Sequence, residues 1–217
     1  MNQFDGICIQ LGLYRTADYI SLSRPNFNKN DPKAVIGEHD YPAFKELGVD
    51  RYQYIGVDCC PVSIQHMYKS YTNEIKSGEA EFVLSYVSGA SGEMANFLYD
   101  FDYNDPMCVN WWTTSTLGFG DLLNSYYSRF AKIDLVVMDI EGVELSVFQD
   151  YDFSIRPRFM EIELHEVAWE NETVDGFIDK MTKHDYECVS RYMESDRLHA
   201  IEQALFRDIR RNNGQHQ

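Results

Sequence analysis

Residues 133–144 of this 217-residue chain read Ile133-Asp-Leu-Val-Val-Met-Asp-Ile-Glu-Gly-Val-Glu144. An apolar run ends at Asp139, Glu141 and Gly142, and a segment with apolar residues at helical spacing follows. Strands of a parallel sheet with both faces covered are almost continuously apolar, and ligands bind at their carboxyl ends, where loops lead into helices. The stretch therefore predicts a buried strand, an acidic loop and a helix, in that order.

The rest of the chain repeats this alternation of strands and helices. The sequence predicts strands over 6–12, 52–58, 81–87 and 158–164, helices over 42–47, 61–76, 117–130 and 167–183, and a closing antiparallel pair over 186–192 and 199–206. Strands that alternate with helices in this way predict an α/β fold with an open, mostly parallel sheet and helices on both faces.

The chain is predicted to form a single domain, because 217 residues with 44% hydrophobic content can bury one substantial core. Residues 13–51 are predicted to be a long insertion, since the stretch 23–32 is rich in Asn and Pro, which favour turns. The polar residues 208–217 predict a flexible tail.

Charge and cysteine content narrow the choice of partners. The chain has 35 acidic and 19 basic residues, a net charge of −16, which would repel nucleic acid and anionic membrane surfaces. The five cysteines are odd in number and lack metal-binding spacing, and no run is long and apolar enough to span a bilayer. We expect a cytoplasmic protein that binds neither nucleic acid nor membranes.

Three strand ends supply groups that suit a nucleoside cofactor. Gly12, Asp58 and Asp139 each follow a predicted strand, and a carboxylate at the end of a second strand can accept both ribose hydroxyl protons. The first loop contains one glycine instead of the three that bind a dinucleotide pyrophosphate, which favours S-adenosylmethionine. A helix amino-terminal cap is the alternative role for Asp58.

These motifs resemble those of the FkbM family of class I S-adenosylmethionine-dependent methyltransferases. Asp139-Ile-Glu-Gly-Val-Glu144 is similar to the family's Asp-x-Glu-Gly-x-Glu signature, and Ile162-Glu-Leu-His165 is similar to its Glu-Ile-His strand. Tyr54-Ile-Gly-Val-Asp58 and Val87-Ser-Gly-Ala-Ser-Gly-Glu93 resemble its second-strand motif and the loop after its third strand. The chain departs from the family at Gln10, where an acid is usual.

The resemblance implies a Rossmann-like fold and O-methylation of a hydroxyl on a sugar or another small metabolite. It places the cofactor contacts at the strand ends: Gly12, Asp58, Cys59, Ser88, Asp139 and Glu141. Cys59 is expected as a contact and not as a nucleophile, because a neighbouring acid raises the pKa of a thiol.

The alternation of residues 160–165 indicates where the acceptor binds. Met160, Ile162 and Leu164 alternate with Glu161, Glu163 and His165, so one face of this strand is predicted to line a polar cleft. His165 is the preferred base, because an imidazole can be neutral at cellular pH, and Glu163 would orient it or contact the acceptor.

Asp139, from the neighbouring strand, completes the predicted catalytic set. In the alternative interpretation, the two glutamates of this strand form structural ion pairs with Arg156, Arg158 or Arg207.

Two other functions remain open from the sequence. Asp139 and Glu141 could hold a divalent ion in a metal-dependent glycosyltransferase, although the preferred interpretation has no resident metal. The single glycine of the first loop and the long insertion are also compatible with a non-catalytic, methyltransferase-like binding protein.

Overall fold

The structure of the protein is a computed structural model that describes residues 4, 6–13, 52–100, 109–140, 142–165, 169, 172–194 and 201–210. Its strands are β1 (Gly6–Leu11), β2 (Tyr52–Asp58), β3 (Ala80–Leu84), β4 (Tyr86–Ser88), β5 (Met94–Asp100), β6 (Val109–Gly118), β7 (Leu135–Met138), β8 (Phe159–His165), β9 (Tyr186–Glu194) and β10 (Ile201–Asp208). Its helices are α1 (Pro61–Ser70), α2 (Thr72–Ser77), α3 (Phe119–Phe130), α4 (Glu144–Gln149) and α5 (Val174–Lys183).

Seven strands form the larger sheet, in the order β3-β2-β1-β7-β8-β10-β9. The first five in this order pair in parallel, whereas β10 pairs antiparallel with both β8 and β9. This arrangement confirms the predicted α/β class, with its open, mostly parallel sheet and its closing antiparallel pair.

A smaller sheet follows the third strand. Its order is β4-β6-β5, with β5 and β6 paired as an antiparallel hairpin and β4 parallel to β6. The sheet joins the larger one through Ser85, whose amide donates to the carbonyl of Asp58 at 3.0 Å.

Helices pack on both faces of the larger sheet, as predicted. One core cluster contains Ile9 and Met160 of the sheet together with residues of α3, α4 and α5, whereas the other contains Cys8 and Phe159 together with residues of α1. Because successive side chains of a strand point to opposite faces, the two clusters lie on opposite sides of the sheet.

Local sequence explains where the helices begin and end. Helix α1 starts at Pro61, whose missing amide hydrogen would have no partner at that position. Helix α5 starts after Thr173, whose hydroxyl accepts a hydrogen bond from the Gly176 amide.

Four predicted boundaries are wrong. The apolar run over 81–87 is two strands, β3 and β4, which belong to different sheets. The predicted helix over 61–76 is interrupted at Tyr71, and Leu117 lies in strand β6 instead of helix α3. The helix predicted from Val167 begins at Val174, because the cap is Thr173.

Some predictions fall outside the described residues: the short helix over 42–47, most of the insertion over 13–51 and residues 211–217 of the tail. In the part of the chain that the structure describes, no helix is long and apolar enough to cross a membrane.

Candidate active site at the carboxyl edge of the sheet

The order of the strands creates a switch point between β1 and β7. From β1 the chain builds outward on one side through β2 and β3, and it later returns to the other side of β1 through β7 and β8. In open α/β sheets, ligands bind at the carboxyl ends of the strands beside such a point. Gly12 and Asp139 follow these two strands directly.

Gly12 makes a close backbone contact at the switch point. Its φ is +82°, and a Cβ atom built on it would lie 1.7 Å from the carbonyl oxygen of Asp139. Its amide donates to the Val57 carbonyl at 3.0 Å, and the Asp139 amide donates to the Leu11 carbonyl at 3.0 Å. Only glycine fits here, because a side chain would be both strained and in collision with backbone.

Asp58 connects the ends of β1 and β2. Its carboxylate accepts hydrogen bonds from the Leu13 amide at 2.9 Å and the Cys60 amide at 2.6 Å, and the residue is only 9% exposed. The N-cap of α1 is Cys60, whose own side chain makes no capping bond, and Asp58 accepts from the amide of this residue. These two amides keep the carboxylate in a fixed orientation beside the Gly12 loop.

Gln10 fixes the backbone of the first loop. The Tyr54 hydroxyl donates to its side-chain oxygen at 2.7 Å, and its side-chain nitrogen donates to the Gly12 carbonyl at 3.2 Å. A carboxylate at this position could accept the first bond but could not donate the second. The departure of Gln10 from the usual acid is therefore compatible with an ordered loop.

Cys59 and Ser88, the other predicted cofactor contacts near β2 and β4, have different surroundings. Burial, and then the neighbouring Asp58 carboxylate, raise the pKa of the half-buried Cys59 thiol to about 12. This rise in the thiol pKa agrees with the prediction that Cys59 is not a nucleophile. The Ser88 hydroxyl donates to the Ala90 carbonyl at 2.8 Å, which stabilises the turn after β4.

Asp139, Glu163 and His165 form a cluster on the other side of the switch point. Each offers one ligand atom, and these three atoms all lie within 4.8 Å of one another. His165 Nε2 is 3.6 Å from a carboxylate oxygen of Glu163, and these two side chains are 14% and 11% exposed. The structure thus brings together the three residues predicted to act in catalysis.

Strand pairing produces this cluster. Strands β7 and β8 run in parallel with Met138 opposite Ile162, so Asp139 follows β7 at the level of Glu163. The side chains of Met160, Ile162 and Leu164 are buried in the core that contains residues of α3, α4 and α5. Because side chains alternate along a strand, Glu161, Glu163 and His165 share the other face of β8, as predicted.

Glu144 is a buried acid beside the cluster, and the sequence alone did not indicate its environment. It lies in the first turn of α4 with 0% exposure, and one carboxylate oxygen accepts from the Gly142 amide at 3.0 Å. Burial raises the pKa of Glu144, and the nearby charge of His165 opposes that rise. In the sequence, the only signal for a role of Glu144 was its spacing in Gly142-Val-Glu144.

Tyr86 is a further residue that the sequence did not predict as part of the site. Burial raises the pKa of its hydroxyl, with smaller contributions from Cys59 and Glu144, so the ring is near both groups. Tyr86 immediately follows Ser85, where the chain changes sheets, and this change was not apparent from the sequence.

Two remaining predictions concern Glu141 and the arginines. Glu141 lies outside the described residues. Arg156 forms an ion pair with Asp208 at 2.9 Å, and Arg207 forms one with Glu187 at 2.7 Å. These pairs lie at the β10 side of the sheet.

The fold is that of a Rossmann-like α/β domain whose carboxyl edge carries acidic side chains. The family model described as the methyltransferase FkbM domain matches residues 112–188, from β6 into β9. The match confirms, for this part of the chain, the resemblance to the FkbM methyltransferase family that was drawn from the sequence motifs.

Solved structures with similar folds include M. capricolum TrmK in complex with the natural cofactor product S-adenosyl-homocysteine. It is 10% identical, with a TM-score of 0.44, and the similarity covers 94% of this chain and 62% of that chain. Streptococcus pneumoniae Sp1610, described as a candidate tRNA (m1A22) methyltransferase, is 8% identical, with a TM-score of 0.40, covering 94% and 64%. The chain thus spans less than two thirds of either protein. No curated protein matches it.

Proposed function

We propose that this protein is an S-adenosylmethionine-dependent O-methyltransferase that acts on a hydroxyl of a sugar or another small metabolite. The FkbM match supports methyl transfer. The observation with the greatest weight is the arrangement of Gly12, Asp58 and Asp139 around one switch point, where an adenosyl cofactor would bind.

The residues at this edge suit the chemistry of the cofactor. The amides of Leu13 and Cys60 keep the carboxylate of Asp58 in a fixed orientation, and a carboxylate is a suitable acceptor for ribose hydroxyls. Cys59, Ser88 and Glu141 are the other proposed contacts. S-adenosylmethionine supplies a methyl group on a positively charged sulfur, and the acidic side chains of Asp139 and Glu144 favour a cation.

The acceptor would bind on the β7–β8 side of the same edge. His165 and Glu163 share the polar face of β8, and Asp139 lies beside them, so an acceptor hydroxyl there would contact groups that can accept a proton. Alignment of the hydroxyl provides the larger contribution to the rate, and proton removal by His165 a smaller one.

The direct test is calorimetric titration of the whole chain with S-adenosylmethionine and S-adenosylhomocysteine. We expect the wild type to bind both, and Asp58→Asn to bind them at least tenfold more weakly. Asp134→Asn is the matched control, because Asp134 is also buried and accepts a backbone hydrogen bond, from the Ile7 amide at 3.0 Å, but at the amino end of β7. Its affinity should stay within twofold of the wild type.

Two results would count against the proposal. A folded wild type that binds neither compound would favour a non-catalytic binding protein. Equal losses in the Asp58 and Asp134 variants would mean that the substitutions act through stability and that Asp58 is not a cofactor contact. If the cofactor binds, transfer of a labelled methyl group to a panel of sugars and small hydroxylated metabolites, with His165→Ala as the slower comparison, tests the acceptor class.

A further inference from the structure

The cluster of Asp139, Glu163 and His165 has the composition of a metal site as well as that of an acceptor site. It contains two carboxylates and one imidazole, and their ligand atoms lie within 4.8 Å of one another. Borderline transition metals accept both ligand types, whereas Mg²⁺ and Ca²⁺ favour oxygen alone.

The separation between His165 and Glu163 fits coordination better than hydrogen bonding. The distance from Nε2 to the carboxylate oxygen is 3.6 Å, which is too long for a hydrogen bond. Two ligands of one tetrahedral ion with bonds of about 2.1 Å are roughly 3.4 Å apart, so little movement would bring both atoms onto one ion.

Glu144 provides a second, independent indication that a cation binds here. Its side chain is fully buried, and its second carboxylate oxygen has no hydrogen-bond partner among the described residues. The carboxylate lies close enough to His165 for their charges to interact. A positive ion at the cluster would offset the cost of burying this acid.

We propose that Asp139, Glu163 and His165 bind one divalent transition-metal ion, such as Mn²⁺ or Zn²⁺, with the remaining coordination positions open to the acceptor. The sequence predicts no resident metal, and the metal-dependent alternative pairs Asp139 with Glu141 instead of the two β8 residues. Three protein ligands with open positions are typical of catalytic rather than structural metal sites.

The role of the ion in methyl transfer rests on the proposed function. An acceptor with oxygens on neighbouring carbons would fill two open positions at once, which selects vicinal diols and related sugars. During transfer, a bond forms between the acceptor oxygen and the methyl carbon, and the methyl–sulfur bond breaks with its electron pair remaining on sulfur. The bound ion would lower the pKa of the acceptor hydroxyl, so that its proton could pass to water, and His165 would then serve as a metal ligand instead of the base.

The test is a titration of the EDTA-treated whole chain with Mn²⁺, followed by electron paramagnetic resonance, and with Zn²⁺, followed by calorimetry. We expect one tight site, and at least a tenfold loss of affinity in Asp139→Asn, Glu163→Gln and His165→Ala. The controls are Asp179→Asn and His66→Ala, which remove an exposed carboxylate and an exposed imidazole from helices α5 and α1. Their affinity should stay within twofold of the wild type. Circular dichroism establishes that each variant is folded.

Several outcomes overturn the metal site. The proposal is wrong if neither Mn²⁺ nor Zn²⁺ binds tightly to the wild type. It is also wrong if the three cluster variants bind the ions as tightly as the two control variants do. Asp139 is exposed, so its variant should fold even if the Glu163 variant does not, and it keeps the test decisive.

Titration of the EDTA-treated protein with S-adenosylmethionine separates this inference from the proposed function. Metal binding without cofactor binding would support the site and contradict the methyltransferase. Cofactor binding without metal binding would support the methyltransferase and contradict the metal site.

Discussion

The carboxyl edge of the sheet has two halves that are built in different ways. In the β1–β2 half, Asp58 and Gln10 are bonded to backbone atoms of the Gly12–Leu13 loop. In the β7–β8 half, the side chains of Asp139, Glu163 and His165 approach one another because of strand register. The first half fixes a backbone shape, and the second gathers reactive groups.

This difference has energetic consequences. The bonds of the β1–β2 half are buried, so removing one leaves a buried polar atom without its partner. In the β7–β8 half, Asp139 is exposed, so water can replace the contacts that this residue loses. Substitutions should therefore reduce stability in the first half and mainly ligand binding in the second.

The largest effect is expected for Gly12→Ala. The new Cβ atom would overlap the Asp139 carbonyl, and the φ of +82° would add backbone strain. We expect the free energy of unfolding to fall by about 3 to 5 kcal/mol, measured by urea denaturation.

Gly78→Ala is the matched control for that substitution. Its φ is +78°, but nothing lies within 4 Å of the added atom, so only the strain remains, about 1 kcal/mol. Equal losses in the two variants would show that the contact between Gly12 and Asp139 is not tight.

Cys59 tests the electrostatics of the β1–β2 half. Its pKa is raised to about 12, first by burial and then by Asp58, so very little thiolate is present at pH 8. Alkylation by iodoacetamide, followed by mass spectrometry, should be at least a hundredfold slower than in the urea-unfolded chain. Asp58→Asn should increase the rate severalfold. Because the folded pKa lies above the unfolded one, this thiol's contribution to stability is full below about pH 9 and is lost as the pH rises towards 12.

Rapid alkylation in the folded protein would contradict this account. It would mean that the thiol is ionised at the cofactor edge, and it would reopen the possibility of a nucleophilic role for Cys59.

Tyr54→Phe tests the bond network around Gln10. Loss of the hydroxyl leaves the buried oxygen of Gln10 without this donor, so we expect a loss of about 1 to 2 kcal/mol together with weaker cofactor binding. Tyr186→Phe is the control, since its hydroxyl donates to the Pro157 carbonyl at 2.9 Å in a buried position away from the edge. It should lose similar stability and keep its cofactor affinity. Unchanged cofactor binding in both variants would show that Gln10 does not fix the loop for the ligand.

The sequence predicts the two halves unequally. Apolar runs and strand ends are local signals, so they identified β1, β2, β7 and β8 and the groups at their ends. The β7–β8 cluster could be anticipated because alternation along β8 already places Glu163 and His165 on one face.

Other features depend on contacts between distant segments. The bond from Tyr54 to Gln10 joins residues 44 positions apart, and no local pattern indicates it. The break at Ser85 divides one apolar run between two sheets. The second part, β4, pairs with β6, and β6 begins 24 residues after Ser85. The burial of Glu144 likewise depends on how α4 packs, whereas its position in a first helical turn gave only a preference for an acid.

The smallest effect on stability is expected for Asp139→Asn, and it separates the two halves most directly. Asp139 is exposed, and the substitution removes one of two adjacent acids, so the free energy of unfolding should change by less than about 0.5 kcal/mol. Asp58→Asn alters a carboxylate that accepts two backbone bonds and should lose about 1 to 2 kcal/mol in the same denaturation assay. If the Asp139 variant lost as much stability as the Asp58 variant, the β7–β8 half would also stabilise the backbone. A structural role would then be enough to account for its acidic residues, without a bound ligand.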